Sequence, residues 1–171
     1  MFKLSKTTDY GIVLLAQLAR NASTEPQNAR ELAAASDLPV PMVSKILKTL
    51  AKEGLLVSHR GSKGGYRLAF EPQNLSVADM IRVLEGPVGL TECAIGPALC
   101  VHETVCAVRE PWQLISRVVE QALTDVTLAD LIHDGTSPIF SSVRNILQIE
   151  GRDAFRSDPV ASPAPLADRD H

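Results

Sequence analysis

The sequence predicts a mainly α-helical chain carrying one small β-hairpin, and three observations predict it. Hydrophobic residues make up 45% of the chain and aromatics only 4%, a Leu-, Val- and Ala-rich balance that favours packed helices over a β-sandwich. Several segments place apolar residues at helical spacing behind recognisable capping residues. A pair of short strand-like runs, residues 55–60 and 66–68, flanks a glycine-rich cluster in the manner of a hairpin. At 171 residues the chain can bury one good core, or form one small domain with an appended helix.

The first helix is expected over residues 7–21, with Ile12, Leu15, Ala16 and Ala19 in its apolar stripe. Thr7 or Thr8 can cap it, and Asp9 stands in the first turn, where a carboxylate suits the helix dipole. A loop over residues 22–27 leads to a second, short helix. That helix opens at Asn28, three residues before Glu31 as in a capping box, and ends around Ser36. A tight turn with Pro39 follows, and a third helix runs over residues 41–53, with Pro41 in its first turn and Gly54 closing it. Val43, Ile46, Leu47 and Leu50 form the inward stripe, which leaves Met42, Ser44, Lys45, Lys48 and Lys52 outside. Two short helices joined by a turn, the second with lysines on its outer face, describe a helix-turn-helix.

The hairpin carries Arg60 and Lys63 around its glycine-rich tip. A hairpin directly after a helix-turn-helix is a wing, and its tip can enter a minor groove, where arginine responds to groove width. Residues 1–70 hold ten Lys/Arg against five Asp/Glu, while residues 71–171 hold seven against fifteen, within a net charge of −3. A basic half on an acidic scaffold suits a nucleic-acid reader, although an unevenly charged surface alone would look the same. The fold class is therefore mainly α with a small β-wing: a winged helix-turn-helix domain plus a long C-terminal dimerisation helix. Double-stranded DNA is the expected partner. The candidate contacts are Arg30, Pro41, Met42, Ser44, Lys45 and Lys48 on the helices, and Arg60, Ser62 and Lys63 on the wing. Met42, Ser44, Lys45 and Lys48 should face the major groove, with the lysines mainly on phosphates, and Arg60 the minor groove.

A fourth helix is expected from Ser76, capped with Asp79, to Glu85, where Gly86 stops it. Another spans residues 111–124 with Trp112, Ile115, Val118, Val119 and Leu123 on its apolar side, and Thr127 with Asp130 opens a short last helix through Ile132. A long helix far from the winged core is unstable alone, so pairing with the same helix of a second chain is the economical way to bury it. A two-fold homodimer would present two reading heads about one DNA turn, or a multiple, apart. Residues 139–147 can form one short amphipathic helix, and the rest of the tail is rich in Pro, Ala, Ser and Asp, as disordered segments are.

Between the two halves lie all three cysteines, Cys93, Cys100 and Cys106, with six and then five residues between them. An odd, clustered set argues against a disulfide framework. No apolar run is long enough to span a bilayer and no signal-peptide pattern opens the chain, so the cytoplasm is the expected location. The thiols could ligate an iron–sulfur cluster, bind structural zinc together with His102, or stay reduced and idle. Cys100 and His102 as a catalytic pair form a weaker case, with no oriented carboxylate evident.

The stretch RELAAASDLPVPMVSKILKTLAKEGLLVSHRGSKGGYRLA, the three-cysteine loop and the helix after it resemble the IscR/NsrR-type family of iron–sulfur winged-helix transcription regulators. The similarity covers roughly residues 2–133 and is greatest to members that regulate the SUF iron–sulfur assembly system. It implies a homodimer on a palindromic operator, expected to act as a repressor, with no enzymatic activity, small-molecule substrate or membrane partner. It also implies an Fe–S cluster, [2Fe–2S] favoured over [4Fe–4S], held by Cys93, Cys100 and Cys106. The fourth ligand is open. In the IscR branch a histidine three residues after the last cysteine completes the set, and here that position is Arg109. In the NsrR branch a partner-chain aspartate near the start of the first helix serves, and Asp9 matches that place; His102 and Glu92 are local alternatives. The expected division is residues 1–86 for the winged domain, 87–110 for the cysteine loop, 111–133 for the dimerisation and last helices, and 134–171 for the tail.

Overall fold

The computed structural model describes residues 3–21, 25–61 and 64–133. The expected helix over 139–147 and the whole tail lie outside the described residues, as do Ser62 and Lys63.

Helix α1 (Lys6–Arg20) begins earlier than expected: Ser5, not Thr7 or Thr8, is its cap, and the Ser5 hydroxyl accepts the Thr8 amide at 3.2 Å. Thr8 cannot take that role because it lies on the buried face, in helical register with Leu15 and Leu18. Gly11 lies on the same face, where a Cβ would come within 2.5 Å of Leu84 on α4 (Val77–Glu85), so glycine permits this close helix approach. Helix α2 (Ala29–Ser36) carries the full Asn28–Glu31 capping box and ends at Asp37 in the left-handed region, φ 52°. Helix α3 (Val40–Lys52) follows after the two-proline turn, and Val43, Ile46, Leu47 and Leu50 are all buried. With Leu14, Leu15, Leu32 and Met80 they build the core between α1, α2, α3 and α4.

Strands β1 (Leu56–His59) and β2 (Gly65–Leu68) pair antiparallel, Leu56 opposite Leu68 and His59 opposite Gly65. The wing is joined to the helix-turn-helix by a contact absent from the sequence expectation. Gln27, just ahead of α2, exchanges two backbone hydrogen bonds with Tyr66 at 3.0 and 2.8 Å. Gly65 allows this approach, because a Cβ there would stand 2.5 Å from the Gln27 backbone. The hairpin therefore leans on the entry to α2.

After a 3₁₀ turn (Pro72–Asn74), α4 starts from the expected Ser76–Asp79 capping box and stops at Gly86. A single turn, α5 (Glu92–Ile95), sits inside the cysteine segment. Helix α6 (Arg109–Asp125) is one turn-half longer at its start than expected, and α7 (Leu128–Ile132) opens on the Thr127–Asp130 capping box. Two features differ from a free-standing coupling helix. First, α6 packs on α4, where Arg82 spans the junction, donating to Asp79 at 2.7 Å and to Glu120 at 3.1 Å. Second, α7 returns to α1 and buries Leu128 completely in the winged core. Ser76 and Thr127 pair as a short antiparallel bridge, with Val77 N–H donating to the Val126 carbonyl and Leu128 N–H to that of Leu75, both at 2.8 Å.

The expected apolar side of α6 divides in two. Leu123 and Val119 are half-buried, whereas Trp112, Ile115 and Val118 remain 42%, 46% and 61% exposed. Single exposed apolar residues need no explanation, but three at helical spacing on one helix do.

Candidate nucleic-acid interface and cysteine segment

Most of the described residues expected to meet DNA fall on α3, with Arg30 on α2 and Arg60 just beyond β1. On α3 the core stripe turns Pro41, Met42, Lys45 and Lys48 outward, all exposed, with Ser44 half-buried beside them. Arg30 is exposed in the first turn of α2, and Arg60 is exposed at the end of β1. None of Arg30, Lys45, Lys48 or Arg60 forms an ion pair among the described residues, whereas Lys52, at the far end of α3, lies 3.8 Å from Glu53. Cations left without internal partners are available to phosphates. Across the two strands Arg67 donates through Nε to His59 Nε2 at 3.0 Å, which steadies the hairpin beside Arg60. Arg60→Ala should therefore weaken operator binding by about 1–3 kcal/mol while leaving the fold intact. A gel-shift titration at several salt concentrations checks it; unchanged affinity would remove the wing from the interface.

The cysteine segment is built from backbone contacts more than from apolar packing. Cys93, Cys100 and Cys106 are free thiols, each half-buried. Helix α6 holds the segment from one side: Gln113 donates to the Cys93 carbonyl at 2.9 Å, and the buried Ser116 hydroxyl accepts the Leu90 amide at 3.2 Å. The Thr91 hydroxyl lies 3.3 Å from the Cys93 sulfur. Arg109 forms an ion pair with Glu103 at 2.6 Å, and the other Glu103 oxygen accepts the Ala98 amide at 2.6 Å. Asp9, Glu92 and His102 are all exposed. Among the described residues, no three His, Cys, Asp or Glu side chains come together in one chain as a metal site.

The junction between reader and cysteine segment is tied by carboxylates. Hydrogen bonds from Ser76, aided by Arg82, hold the Asp79 carboxyl below its usual range. The Ser5 amide and the Thr8 hydroxyl do the same for Glu85, which ties the end of α4 to the start of α1, while Arg82 separately ties α4 to the flank of α6. Only the Asp79 cap carried a sequence signal; the Arg82–Glu120, Glu85–Ser5 and Glu103–Arg109 pairs join residues whose spacing predicts nothing.

A two-helix reader and wing, set on a helix with an exposed apolar side, define a winged helix-turn-helix transcription regulator. The chain belongs to the Rrf2 family, described as iron-dependent transcriptional regulators, which matches residues 4–134. The HTH-type transcriptional regulator CymR of Bacillus subtilis is 33% identical over 129 residues, covering 75% of this chain and 88% of that protein. The solved structure of B. subtilis CymR, described as the global cysteine regulator, has a TM-score of 0.64 at 32% identity and covers 77% of this chain and 97% of that one. The structure of T. potens IscR has a TM-score of 0.60 at 30% identity, covering 78% and 88%. Protein rrf2 of Nitratidesulfovibrio vulgaris is 29% identical over 134 residues, covering 78% of this chain and 89% of that protein. The chain is thus a DNA-binding transcription regulator, in a family of regulators and not of enzymes. Among the described residues no helix is long and apolar enough to cross a membrane.

Proposed function

We propose that this protein is a homodimeric regulator, acting as a repressor on a palindromic operator, whose DNA affinity is set by an iron–sulfur cluster. The observation that carries the reading is the placement of three free, half-buried thiols on the segment between the reading domain and the apolar-faced helix α6. The donor set fits the group chemically: thiolates are the preferred protein ligands of iron–sulfur clusters, and such clusters take four donors. Cys93, Cys100 and Cys106 supply three, so a fourth donor must come from another residue. Asp9 suits that role because it is exposed at the start of α1 and open to a second chain; His102 and Glu92 are the local alternatives. Once bound, the cluster supplies a redox- and iron-sensitive crosslink, [2Fe–2S] being favoured over [4Fe–4S].

The chain's own residues carry the signal. Gln113 and Ser116 couple the cysteine segment to α6, Arg82 and Glu120 couple α6 to α4, and α4 packs on α1, which packs on the recognition helix α3. Two half-sites read by one dimer depend on the distance between recognition helices, so a modest shift costs many-fold affinity. Genes of the SUF assembly system are the proposed targets.

A second reading is favoured by the likeness to CymR, described as the global cysteine regulator: a metal-free DNA-binding regulator whose three thiols stay unligated. Anaerobic reconstitution decides between them. The cluster reading expects visible absorbance with iron and acid-labile sulfide, and a change in operator affinity when the cluster is removed. Protein that stays colourless and iron-free after reconstitution would leave the metal-free reading. Asp9→Ala is expected to shorten cluster lifetime on the order of 10-fold or more without unfolding the dimer; an unaltered lifetime would transfer the role to His102 or Glu92.

A further inference from the structure

Two charged residues, Glu103 and Arg109, flank Cys106 in a way that the DNA-reading account leaves unused. The backbone amide of Glu103 donates to the Cys100 carbonyl at 3.2 Å, and that of Arg109 donates to the Cys106 carbonyl at 3.3 Å. Their side chains then join, Arg109 Nη2 to Glu103 Oε1, 2.6 Å apart. The second Glu103 oxygen accepts the amide of Ala98, a non-glycine residue held at φ 62°, a conformation that surrounding contacts must impose. One carboxylate thus ties together the backbone on both sides of Cys100 and, through Arg109, the backbone beside Cys106.

The arginine itself is out of place by ordinary helix electrostatics. It is the first residue of the 17-residue helix α6, where the dipole disfavours a cation. Glu103 is a strong partner, with its side chain only 11% exposed, yet it does not use the whole guanidinium. Arg109 Nε is buried and has no hydrogen-bond partner among the described residues. A buried donor left over on the residue whose amide already bonds the Cys106 carbonyl is a place where anionic sulfur would be welcome.

We propose that Glu103 and Arg109 are positioning residues of the thiol site: Glu103 sets the backbone spacing of Cys100 and Cys106, and Arg109 adds a cation and a spare donor that offset negative charge on the bound sulfur. The inference rests on the cluster reading above, but its first consequence does not. Cluster-free full-length protein carrying Glu103→Gln or Arg109→Met should show faster amide hydrogen exchange over residues 97–108, with α3 unchanged. After anaerobic reconstitution both variants should release iron to a chelator on the order of 10-fold faster than wild type, as loss of outer-shell partners generally does.

Reduction potential separates positioning from a merely structural role. Removing the cation in Arg109→Met should move the potential to a more negative value, and removing the anion in Glu103→Gln to a more positive one, while Arg109→Lys stays near wild type. Wild-type exchange, iron release and potential in both variants, in protein whose wild-type form reconstitutes normally, would overturn the proposal. Opposite potential shifts absent but exchange raised would also overturn the charge role. If wild-type protein takes up no cluster, the functional reading fails instead, and the exchange result alone judges the Glu103–Arg109 pair: exchange unchanged in both variants overturns its role, and exchange raised in both supports it.

Discussion

Ile115→Asp is expected to turn a dimer into a monomer and to lower operator affinity on the order of 100-fold or more, because linked binding of two half-sites is lost. The side chain sits midway along α6 between Trp112 and Val118, and all three are exposed. Burying an aspartate against an apolar neighbour without a partner is costly, whereas in the separated chain it merely faces water. The same substitution should leave the winged core intact, since α6 contributes only Ser116 to the buried set and the core is filled by α1, α3, α4 and Leu128. Sedimentation velocity gives the mass, circular dichroism the helix content and gel shift the affinity. A variant that remains dimeric and binds as wild type would show that α6 does not pair the chains.

Cys106→Ser is expected to abolish visible absorbance after anaerobic reconstitution and to make operator binding indifferent to iron, with helicity and dimerisation retained. Serine keeps the size of the side chain and a hydroxyl, but a hydroxyl is a poor donor to iron at neutral pH compared with a thiolate. Cys106 is free and half-buried, and its carbonyl, not its sulfur, accepts the Arg109 amide, so the local backbone survives the change. Spectra taken beside iron and sulfide determinations check the result. A variant as coloured and as iron-responsive as wild type would exclude Cys106 as a ligand.

Much of the reading head was legible because its signals are local. Asn28 with Glu31, Ser76 with Asp79 and Thr127 with Asp130 each announce a helix start by a hydrogen bond spanning three residues, and all three capping boxes form. The stripe of α3 was equally readable, because Val43, Ile46, Leu47 and Leu50 obey the helix repeat and leave the basic surface outside. The α1 cap was misplaced for a reason that is not local. Thr8 is an adequate cap by type, but burial against the core puts it inside the helix and leaves the role to Ser5. The candidate site was less legible than the fold. Spacing located three thiols, yet it held no sign that Glu103 and Arg109 pair or that Gln113 reaches the Cys93 carbonyl.

What the amino-acid order determined by itself is every described helix but the single turn α5, the wing, the basic outer face of α3 and the cysteine content, since each depends on residues within a turn or two of one another. Tertiary structure alone decided that the wing leans on Gln27 through Gly65, that α7 returns to bury Leu128 beside α1, and that α6 keeps Trp112, Ile115 and Val118 exposed. Those features join residues far apart in the chain, where the outcome depends on which surfaces exclude water together, and no short pattern encodes that.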